Sequence, residues 1–328
     1  MNKIPFVSVV IISKDRHKLL VKAINSIKRT DYPKDKYEII VVEEGDNPRE
    51  IPDVKYIFLP RKNYGYGYAR NTGIKNANGE IIVFVDDDCI VSLTWLKELV
   101  STFKNDIYGV TGGVLTKGKS ISGKAENSLG FPNGGKKRIF KSKGKIIKTS
   151  HLSTCNCAYK REVFEDIGLF NENLKLGGED LEFSQRVNKK YKCVFNPSAI
   201  LYHKPRSNIY KVFLWFLRRG RAEYLLYKSS NKVERTQLLK WWLKSSVILK
   251  LIFCIVIYFA ILKSFFNFYV FWVLLGVIYW TYITWQHRFL IYEKDFLTAL
   301  MCPLVKFVMD SGMDLGRIIQ PINMSKNK

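Results

Sequence analysis

The first 114 residues alternate short β-branched runs with stretches of helical pattern, and this alternation constrains the fold more than any other feature of the chain. A strand, a helix and a second strand form a right-handed unit, and repeated units build a mainly parallel sheet covered on both faces. The predicted strands are 6–12, 37–43, 54–59 and 80–85, and the predicted helices are 19–29, 67–76 and 94–104. The expected fold is therefore α/β.

Acidic side chains follow two of these strands at the point where each strand ends. The segment 43–46 contains three acids, and the segment 86–88 is three consecutive aspartates. Because ligands of a parallel sheet bind beyond the carboxyl ends of its strands, both clusters are expected at the same binding edge. Alternating carboxylates at Asp86 and Asp88 suit Mg²⁺ or Mn²⁺ held together with substrate phosphates, while Asp87 turns away. Such a metal would also offset the repulsion between the acids.

The chain is strongly basic, with 53 Lys and Arg against 29 Asp and Glu and a formal charge of +24. This excess predicts an anionic partner, which could be nucleic acid, an anionic bilayer or a phosphate-bearing substrate. Residues 133–148 hold seven Lys or Arg and no acid, and are expected to form an exposed basic loop. Cys155 and Cys157 are the closest cysteine pair, and they are expected to be buried strand residues with free thiols.

Two apolar segments near the C-terminus predict a transmembrane hairpin over residues 245–286. Residues 264–285 carry no charge and are long enough to cross the ~30 Å hydrocarbon core. Residues 251–262 are long enough for the other span if 245–249 extend the helix and the Lys250 side chain reaches the membrane–water interface. Lys263 then lies in the loop between the two spans. The positive-inside rule then places both ends, including the N-terminal domain, in the cytoplasm.

The regions that flank the hairpin have distinct compositions. Residues 207–244 mix Lys and Arg with Trp215, Phe216, Trp241 and Trp242, which favours an interfacial belt on anionic lipid over a nucleic-acid surface. Residues 287–328 are expected either to lie on the membrane as an amphipathic helix or to form a third span. The predicted organisation is completed by a catalytic domain over residues 1–206.

A glycine pair at residues 177–178 is predicted to form a turn that begins a helix. Glu179, Asp180 and Glu182 then occupy the first helical turn, where acids complement the helix dipole. Capping alone is one explanation for these acids. A contribution to a catalytic site is the alternative.

Several segments in order carry a family resemblance across about residues 6–206. They are SVVIISKDR at 8–16, IIVVEEGD at 39–46, NYGYGYARNTGI at 63–74, GEIIVFVDDDC at 79–89 and a block at 155–187 that contains LGGEDLEFSQRV. Together they resemble the inverting family 2 glycosyltransferases, which have the GT-A fold. The resemblance implies a Rossmann-like, mainly parallel sheet and a nucleotide-sugar donor held with Mn²⁺ or Mg²⁺.

The resemblance also implies roles for individual residues. Asp88 and His203 would hold the metal, and Asp86 would contact the metal or the ribose. Asp180 of the Glu179-Asp180 pair would be the general base that deprotonates an acceptor hydroxyl. The remaining donor-binding residues would be Ser13, Glu44, Arg70 and Asn71, although Glu43, Glu44 and Asp46 depart from the usual DDGS turn.

The resemblance and the membrane segments together predict transfer of one sugar to an acceptor at the membrane. That acceptor would be a polyprenyl or dolichyl phosphate or a lipid-linked saccharide. RRGRAEY at 218–224 differs from the QxxRW signature of processive synthases, and its Arg219 and Arg221 would hold a lipid phosphate or anchor the chain. The alternatives are transfer to a surface polysaccharide or protein glycan precursor, a nucleotidyl transferase, and a membrane scaffold without catalysis.

Overall fold

The computed structural model describes residues 4–104, 106–230, 232–260, 262 and 267–326. The chain divides into two compact units, of which the first comprises Met1–Gly118 and Gly130–Lys204. The second comprises Lys119–Leu129 and Pro205–Lys328. The second unit therefore takes one short segment from within the sequence of the first.

The described residues of the first unit form a nine-stranded mixed sheet. Its strands are β1 (Val7–Lys14), β2 (Tyr37–Gly45), β3 (Lys55–Pro60), β4 (Ile81–Asp86), β5 (Cys89–Val91), β6 (Ile107–Thr116), β7 (Ile147–Lys148), β8 (Asn156–Lys160) and β9 (Lys192–His203). The order is β3-β2-β1-β4-β8-β6-β9-β5, with β7 paired to β9. The pairs among β3, β2, β1 and β4 are parallel, which confirms the α/β fold expected from the N-terminal alternation.

The helices cover both faces of this sheet and make up most of the second unit. Those of the first unit are α1 (His17–Lys28), α2 (Tyr66–Lys75), α3 (Trp95–Ser101), α5 (Gly135–Ser142), α6 (Arg161–Ile167) and α7 (Glu179–Asn188). Those of the second are α4 (Ile121–Ser128), α8 (Ile209–Ser229), α9 (Lys232–Ser245), α10 (Val247–Ala260), α11 (Phe268–Gln286), α12 (Phe289–Tyr292) and α13 (Phe296–Lys326).

The sheet is buried on both faces because its strands carry continuous apolar runs. Val7, Val9 and Ile11 of β1 belong to one hydrophobic cluster, and Val10 belongs to the cluster on the opposite face. This alternation follows from the two-residue period of a strand. Cys155 and Cys157 are free and only 3% and 0% exposed, so their prediction as buried thiols is confirmed.

The prediction of a basic loop over residues 133–148 is wrong, because helix α5 and strand β7 occupy this segment. The guanidinium of Arg138 stacks 4.2 Å above the Phe195 ring of β9. Ile139 packs on β6, where a Cβ built at Gly113 would lie 3.0 Å from its side chain. One face of α5 is thus held against the sheet, although the lysines around it remain available to solvent.

Helices α8 and α13 pack side by side at very short distance in the second unit. A Cβ at Gly220 of α8 would lie 2.1 Å from the Met313 carbonyl oxygen, and a Cβ at Gly316 would lie 2.1 Å from the Leu217 carbonyl oxygen. No side chain fits at these positions. The glycines therefore permit backbone contact between the two helices.

Two helices of the second unit are long and apolar enough to cross a membrane, namely α11 and residues 296–322 of α13. Within the described residues, the helix of the first predicted span, α10, has 14 residues and extends about 21 Å against the ~30 Å required. Residue 245 ends α9 and does not join α10. Lys263 and residues 264–266 of the predicted hairpin lie outside the described residues.

A carboxylate from another helix sets the start of α10. Asp314 Oδ2 of α13 accepts hydrogen bonds from Ser246 Oγ at 2.9 Å, from the Val247 N–H at 2.8 Å and from the Ile248 N–H at 3.1 Å. These are donors that a helix N-terminus leaves unsatisfied. Asp314 therefore caps α10 at Val247.

The predicted interfacial belt is only partly exposed. Phe216 is 1% exposed and belongs to the core of its unit. Trp242 lies 5.0 Å from the Tyr227 ring and 5.2 Å from the Arg317 guanidinium, within the same unit. The side chain of Trp241 lies outside the described part of the chain.

Candidate active site

The two acidic clusters lie at the ends of β2 and β4, the two strands that flank β1. Strand β1 lies between β2 and β4, where Ser13 is in register with Glu43 and Ile12 with Asp86. Because all three strands are parallel, their carboxyl ends meet at one edge. The candidate site is built along this edge.

Asp88 and His203 come together because strand β5 pairs antiparallel with the end of β9. Cys89 is in register with His203, and Asp88 Oδ1 lies 3.3 Å from His203 Nε2. Neighbouring ligands of an octahedral ion with ~2.1 Å bonds are about 3 Å apart, so this pair fits a divalent metal. Among the described residues, no three His, Cys, Asp or Glu side chains converge on one point, so this pair alone does not complete a coordination sphere.

Asp87 ties two strand ends together and is 5% exposed. Its carboxylate accepts hydrogen bonds from Ser13 Oγ at 2.8 Å and from Arg16 Nη1 at 3.2 Å. Burial raises the pKa of Asp87 to about 6, although the charge of Arg16 opposes this shift. The hydroxyl of Ser13, a predicted donor-binding group, is thus engaged with Asp87.

Arg70 joins two predicted site carboxylates from different elements. Its Nη2 lies 3.4 Å from Asp86 Oδ1, and its Nη1 donates a hydrogen bond to Glu179 of α7. Burial raises the pKa of Glu179 to about 7, while the charge of Arg70 acts in the opposite direction. Arg70 and Glu179 are buried, and with Asp86, whose side chain is 33% exposed, they form one charged cluster at the sheet edge.

Glu44 is held by the loop that precedes α2. It accepts hydrogen bonds from Lys14 Nζ at 2.8 Å and from the backbone N–H groups of Asn63 at 2.7 Å and Lys62 at 3.2 Å. Burial acts to raise its pKa, but the Lys14 and backbone hydrogen bonds outweigh burial and lower it. Glu44 therefore fixes this loop as an ionised group.

Asn71 is buried and its amide is engaged by the segment before α7. Its Nδ2 donates to the Phe170 carbonyl at 2.9 Å and to Glu172 Oε1 at 2.8 Å, and its Oδ1 accepts from the Phe170 N–H at 3.0 Å. Asn71 thus positions this segment.

Asp180 is the second residue of α7, and the N-cap of this helix, Gly178, has a φ of +92° that favours glycine. Its Oδ1 accepts a hydrogen bond from the Leu181 N–H at 2.8 Å, and its Oδ2 lies 3.9 Å from His151 Nε2. Its side chain remains 21% exposed. Oδ1 of Asp180 is therefore hydrogen-bonded to the backbone at the helix N-terminus, and Oδ2 faces the imidazole of His151.

Arg219 and Arg221 belong to the second unit and contact residues of that unit. Arg219 Nε lies 3.6 Å from Glu223 Oε1, and Arg221 Nε donates to Gln320 Oε1 at 2.8 Å. These contacts hold α8 together and tie it to α13. Each arginine thus has a protein partner.

Sequence reasoning missed two residues of the site edge. Arg16 Nη1 lies 2.9 Å from Asp88 Oδ2 and bridges it to Asp87. Its place directly after the first strand could have indicated this role. His151 lies in no recognisable motif, and only the tertiary fold brings it to Asp180.

Comparisons with known proteins agree with this geometry. The family described as Glycosyl transferase family 2 matches residues 8–168. The glycosyltransferase AglE of Haloferax volcanii is 31% identical over 216 residues, which cover 62% of this chain and 69% of the relative. Asp180 and His203 lie beyond the residues matched by the family.

One further sequence relative and one solved structure are also similar to this chain. A dolichyl N-acetyl-alpha-D-glucosaminyl phosphate 3-beta-D-2,3-diacetamido-2,3-dideoxy-beta-D-glucuronosyltransferase of Methanococcus voltae is 23% identical over 68% of this chain and 74% of its own. The solved mannosyltransferase PcManGT of Pyrobaculum calidifontis, in complex with GDP-Man and Mn²⁺, has a TM-score of 0.59 at 16% identity. Its alignment covers 95% of this chain and 88% of that chain, which shows a common fold.

Proposed function

We propose that this chain transfers one sugar, with inversion, from a nucleotide-diphosphate donor to an acceptor presented at a membrane. The premise is that the chain belongs to glycosyl transferase family 2. The observation that carries the proposal is the cluster of Asp86, Asp88, His203 and the Arg70–Glu179 pair at the carboxyl edge of parallel strands. That edge is where doubly wound sheets bind their ligands.

The donor half of the site consists of basic and acidic groups at the ends of β1, β2 and β4. Asp88 and His203 would hold Mn²⁺ or Mg²⁺, with Asp86 contacting the metal or the ribose. The Mn²⁺ in the PcManGT complex supports this assignment. When bound, a divalent ion would supply positive charge to the departing diphosphate.

The acceptor half depends on Asp180. As the acceptor hydroxyl attacks the anomeric carbon, its proton passes to the Asp180 carboxylate and the bond to the diphosphate breaks. A single displacement from the opposite side inverts the anomeric configuration. The partial exposure of Asp180 supports this role, because 21% of its side chain remains accessible.

The acceptor is proposed to be a polyprenyl or dolichyl phosphate or a lipid-linked saccharide. The lipid-linked acceptor in the name of the Methanococcus voltae relative supports this class. The apolar helix α11 and the basic composition support attachment to an anionic membrane, with the catalytic unit in the cytoplasm. Arg219 and Arg221 are proposed to face lipid phosphate, which suits the basic character of α8.

A screen of nucleotide sugars tests the donor assignment. The full chain, purified in detergent with Mn²⁺, should be stabilised against heat by one donor and should hydrolyse it slowly. A chain that binds no nucleotide sugar would instead act as a scaffold. Transfer that proceeds equally well to water-soluble saccharides would favour a polysaccharide or protein glycan acceptor.

The substitution Asp180→Asn tests the general base. Transfer should fall at least about 100-fold, since a positioned base contributes 10²–10⁴-fold, while metal-dependent donor binding persists. The control is Asp106→Asn, because Asp106 is an exposed carboxylate paired with Lys192. Unchanged turnover in Asp180→Asn would exclude Asp180 as the base.

The substitution Asp88→Ala tests the metal assignment. Mn²⁺-dependent nucleotide binding should weaken strongly while metal-independent binding changes little. Titration of Mn²⁺ at fixed nucleotide measures both. Intact Mn²⁺-dependent binding would contradict a metal site at Asp88.

A further inference from the structure

One face of helix α7 carries three polar residues spaced four apart, namely Asp180, Ser184 and Asn188. Residues at this spacing lie one above another along a helix. Ser184 Oγ donates to the Asp180 carbonyl at 2.6 Å and accepts from the Leu152 N–H at 3.1 Å. Asn188 Nδ2 donates to the Ser150 carbonyl at 3.2 Å. The segment 150–152 is therefore fastened to the helix that carries Asp180.

The same segment is held from its other side by α5. Thr149 Oγ1 accepts a hydrogen bond from the His151 N–H at 3.2 Å, and Arg138 donates to this oxygen. Arg138 also donates to Asn133 Oδ1 at 3.0 Å and stacks on the Phe195 ring. The backbone of His151 is thus fixed by two helices, and its ring is directed to Asp180.

The imidazole of His151 lies next to Asp180 and is the more exposed of the two side chains. His151 Nε2 lies 3.9 Å from Asp180 Oδ2, and the two side chains are 35% and 21% exposed. A single water, or a small rotation of the ring, spans this distance. Histidine exchanges protons readily at neutral pH, and a carboxylate that has taken a proton must release it before the next turnover.

We propose that His151 is a positioning residue that acts through Asp180, receiving the proton that Asp180 takes from the acceptor and returning it to solvent. This inference rests on the proposed function. The acceptor proton moves to the Asp180 carboxylate, then to the neutral His151 Nε2, and then to buffer. The electron pair of the former O–H bond forms the new glycosidic bond, and the leaving diphosphate takes the electrons of the broken bond.

Other titratable groups also surround Asp180. Glu179 on the same helix and Asp86 on β4 are paired with Arg70 of α2. Cys155, Cys157 and Tyr159 lie on or beside β8, and burial raises the pKa of all three, so they stay neutral. Among the described residues named here, His151 carries the imidazole, the side chain that generally exchanges protons near neutral pH.

Three variants of the full chain in detergent test the relay. In His151→Ala and His151→Gln, kcat should fall about 10-fold to 100-fold, within the range of acid–base contributions, while the donor KM stays unchanged. The loss should be largest at low buffer concentration and at pH values where an imidazole is neutral, and it should shrink at low pH, where a protonated imidazole accepts no proton. Added imidazole should restore kcat in His151→Ala. The control, His17→Ala, removes an imidazole on α1 and should change neither kcat nor the response to imidazole.

The outcomes separate this inference from the proposed function. Full activity of Asp180→Asn would contradict both the general-base role of Asp180 and the relay through His151. An inactive Asp180→Asn beside a fully active His151→Ala would overturn the relay alone. The relay is also overturned if His151→Gln, which keeps the size and hydrogen bonding of the side chain, retains full kcat and the wild-type pH profile. A kcat loss that imidazole does not restore, accompanied by a lower Tm, would assign His151 a purely structural role.

Discussion

At the scale of single residues, the three consecutive aspartates are accommodated because each has a different partner. Asp86 pairs with Arg70, Asp87 with Ser13 and Arg16, and Asp88 with His203 and Arg16. The charges therefore do not depend on a metal alone for compensation. Asp87, which a period-two pattern directs away from the ligand, instead joins the ends of β1 and β4.

Glu44 should make acid stability of the protein depend on its ionisation. Its pKa is lowered in the folded state, so its contribution is complete above the ordinary value of 4.5 and is lost as pH falls through the lower folded value. Glu44→Gln should therefore lower Tm at pH 7, and the difference from wild type should shrink below pH 4.5. Thermal melts in detergent at several pH values measure this. A difference that stays constant with pH would show that ionisation of Glu44 contributes nothing.

Asn71 should affect stability more than donor affinity. Asn71→Ala leaves the Phe170 N–H and carbonyl without their partner, which costs about 1–3 kcal/mol for a buried group. The expected result is a lower Tm with an unchanged donor Kd, measured by thermal melts and nucleotide titration. Asn173→Ala, at an exposed position in the neighbouring loop, is the control. A weaker donor Kd at unchanged Tm would instead assign Asn71 to donor binding.

At the scale of elements, helix α7 combines three functions in ten residues. Its N-terminal turn presents Glu179 and Asp180, its apolar face contributes Phe183 and Val187 to the core, and Ser184 fastens the segment at Leu152. Acids in the first turn of a helix are favoured by the dipole alone. Glu179 contacts Arg70 of α2, and Asp180 lies near His151. These contacts with other elements indicate a functional site and not only capping of the helix.

The packing of α8 on α13 gives a matched pair of substitutions. Gly316→Ala places a Cβ 2.1 Å from the Leu217 carbonyl, so the helices must separate and Tm should fall. Gly276→Ala on α11 meets nothing within 4 Å and removes a poor helix former, so Tm should stay or rise. Equal effects of the two substitutions would contradict close packing at Gly316.

At the scale of the whole molecule, the second unit depends on a helix encoded within the first. Helix α4 buries Glu126 against Arg206, and a Cβ at Gly123 would lie 2.4 Å from the Pro205 side chain. The sequence predicted a catalytic domain that ends at residue 206. The structure places residues 119–129 with the segment that begins at Pro205.

A chain that ends at Lys204 should therefore fold poorly. It retains α4 but removes α8 and α13, against which α4 packs, so the apolar face of α4 and Glu126 lose their partners. We expect rapid proteolysis near residues 119–129 and a lower Tm than that of the full chain. Replacing residues 119–129 of the truncated chain by a short Gly-Ser linker should restore its resistance to proteolysis. A truncated chain as resistant as the full one would show that α4 needs no partner from the second unit.

The sequence by itself determined the α/β class and the edge at which the acids meet, because strand and helix periodicity are local properties, and its ordered motifs indicated the family by resemblance. The resemblance placed Asp88 and His203 in one site, and the tertiary structure showed that the pairing of β5 with β9 brings them together. Only the tertiary structure decided that α5 and α7 position His151 next to Asp180 and that Asp314 starts α10 at Val247. These contacts join residues that are far apart in sequence, and no local pattern encodes the distance at which two side chains meet.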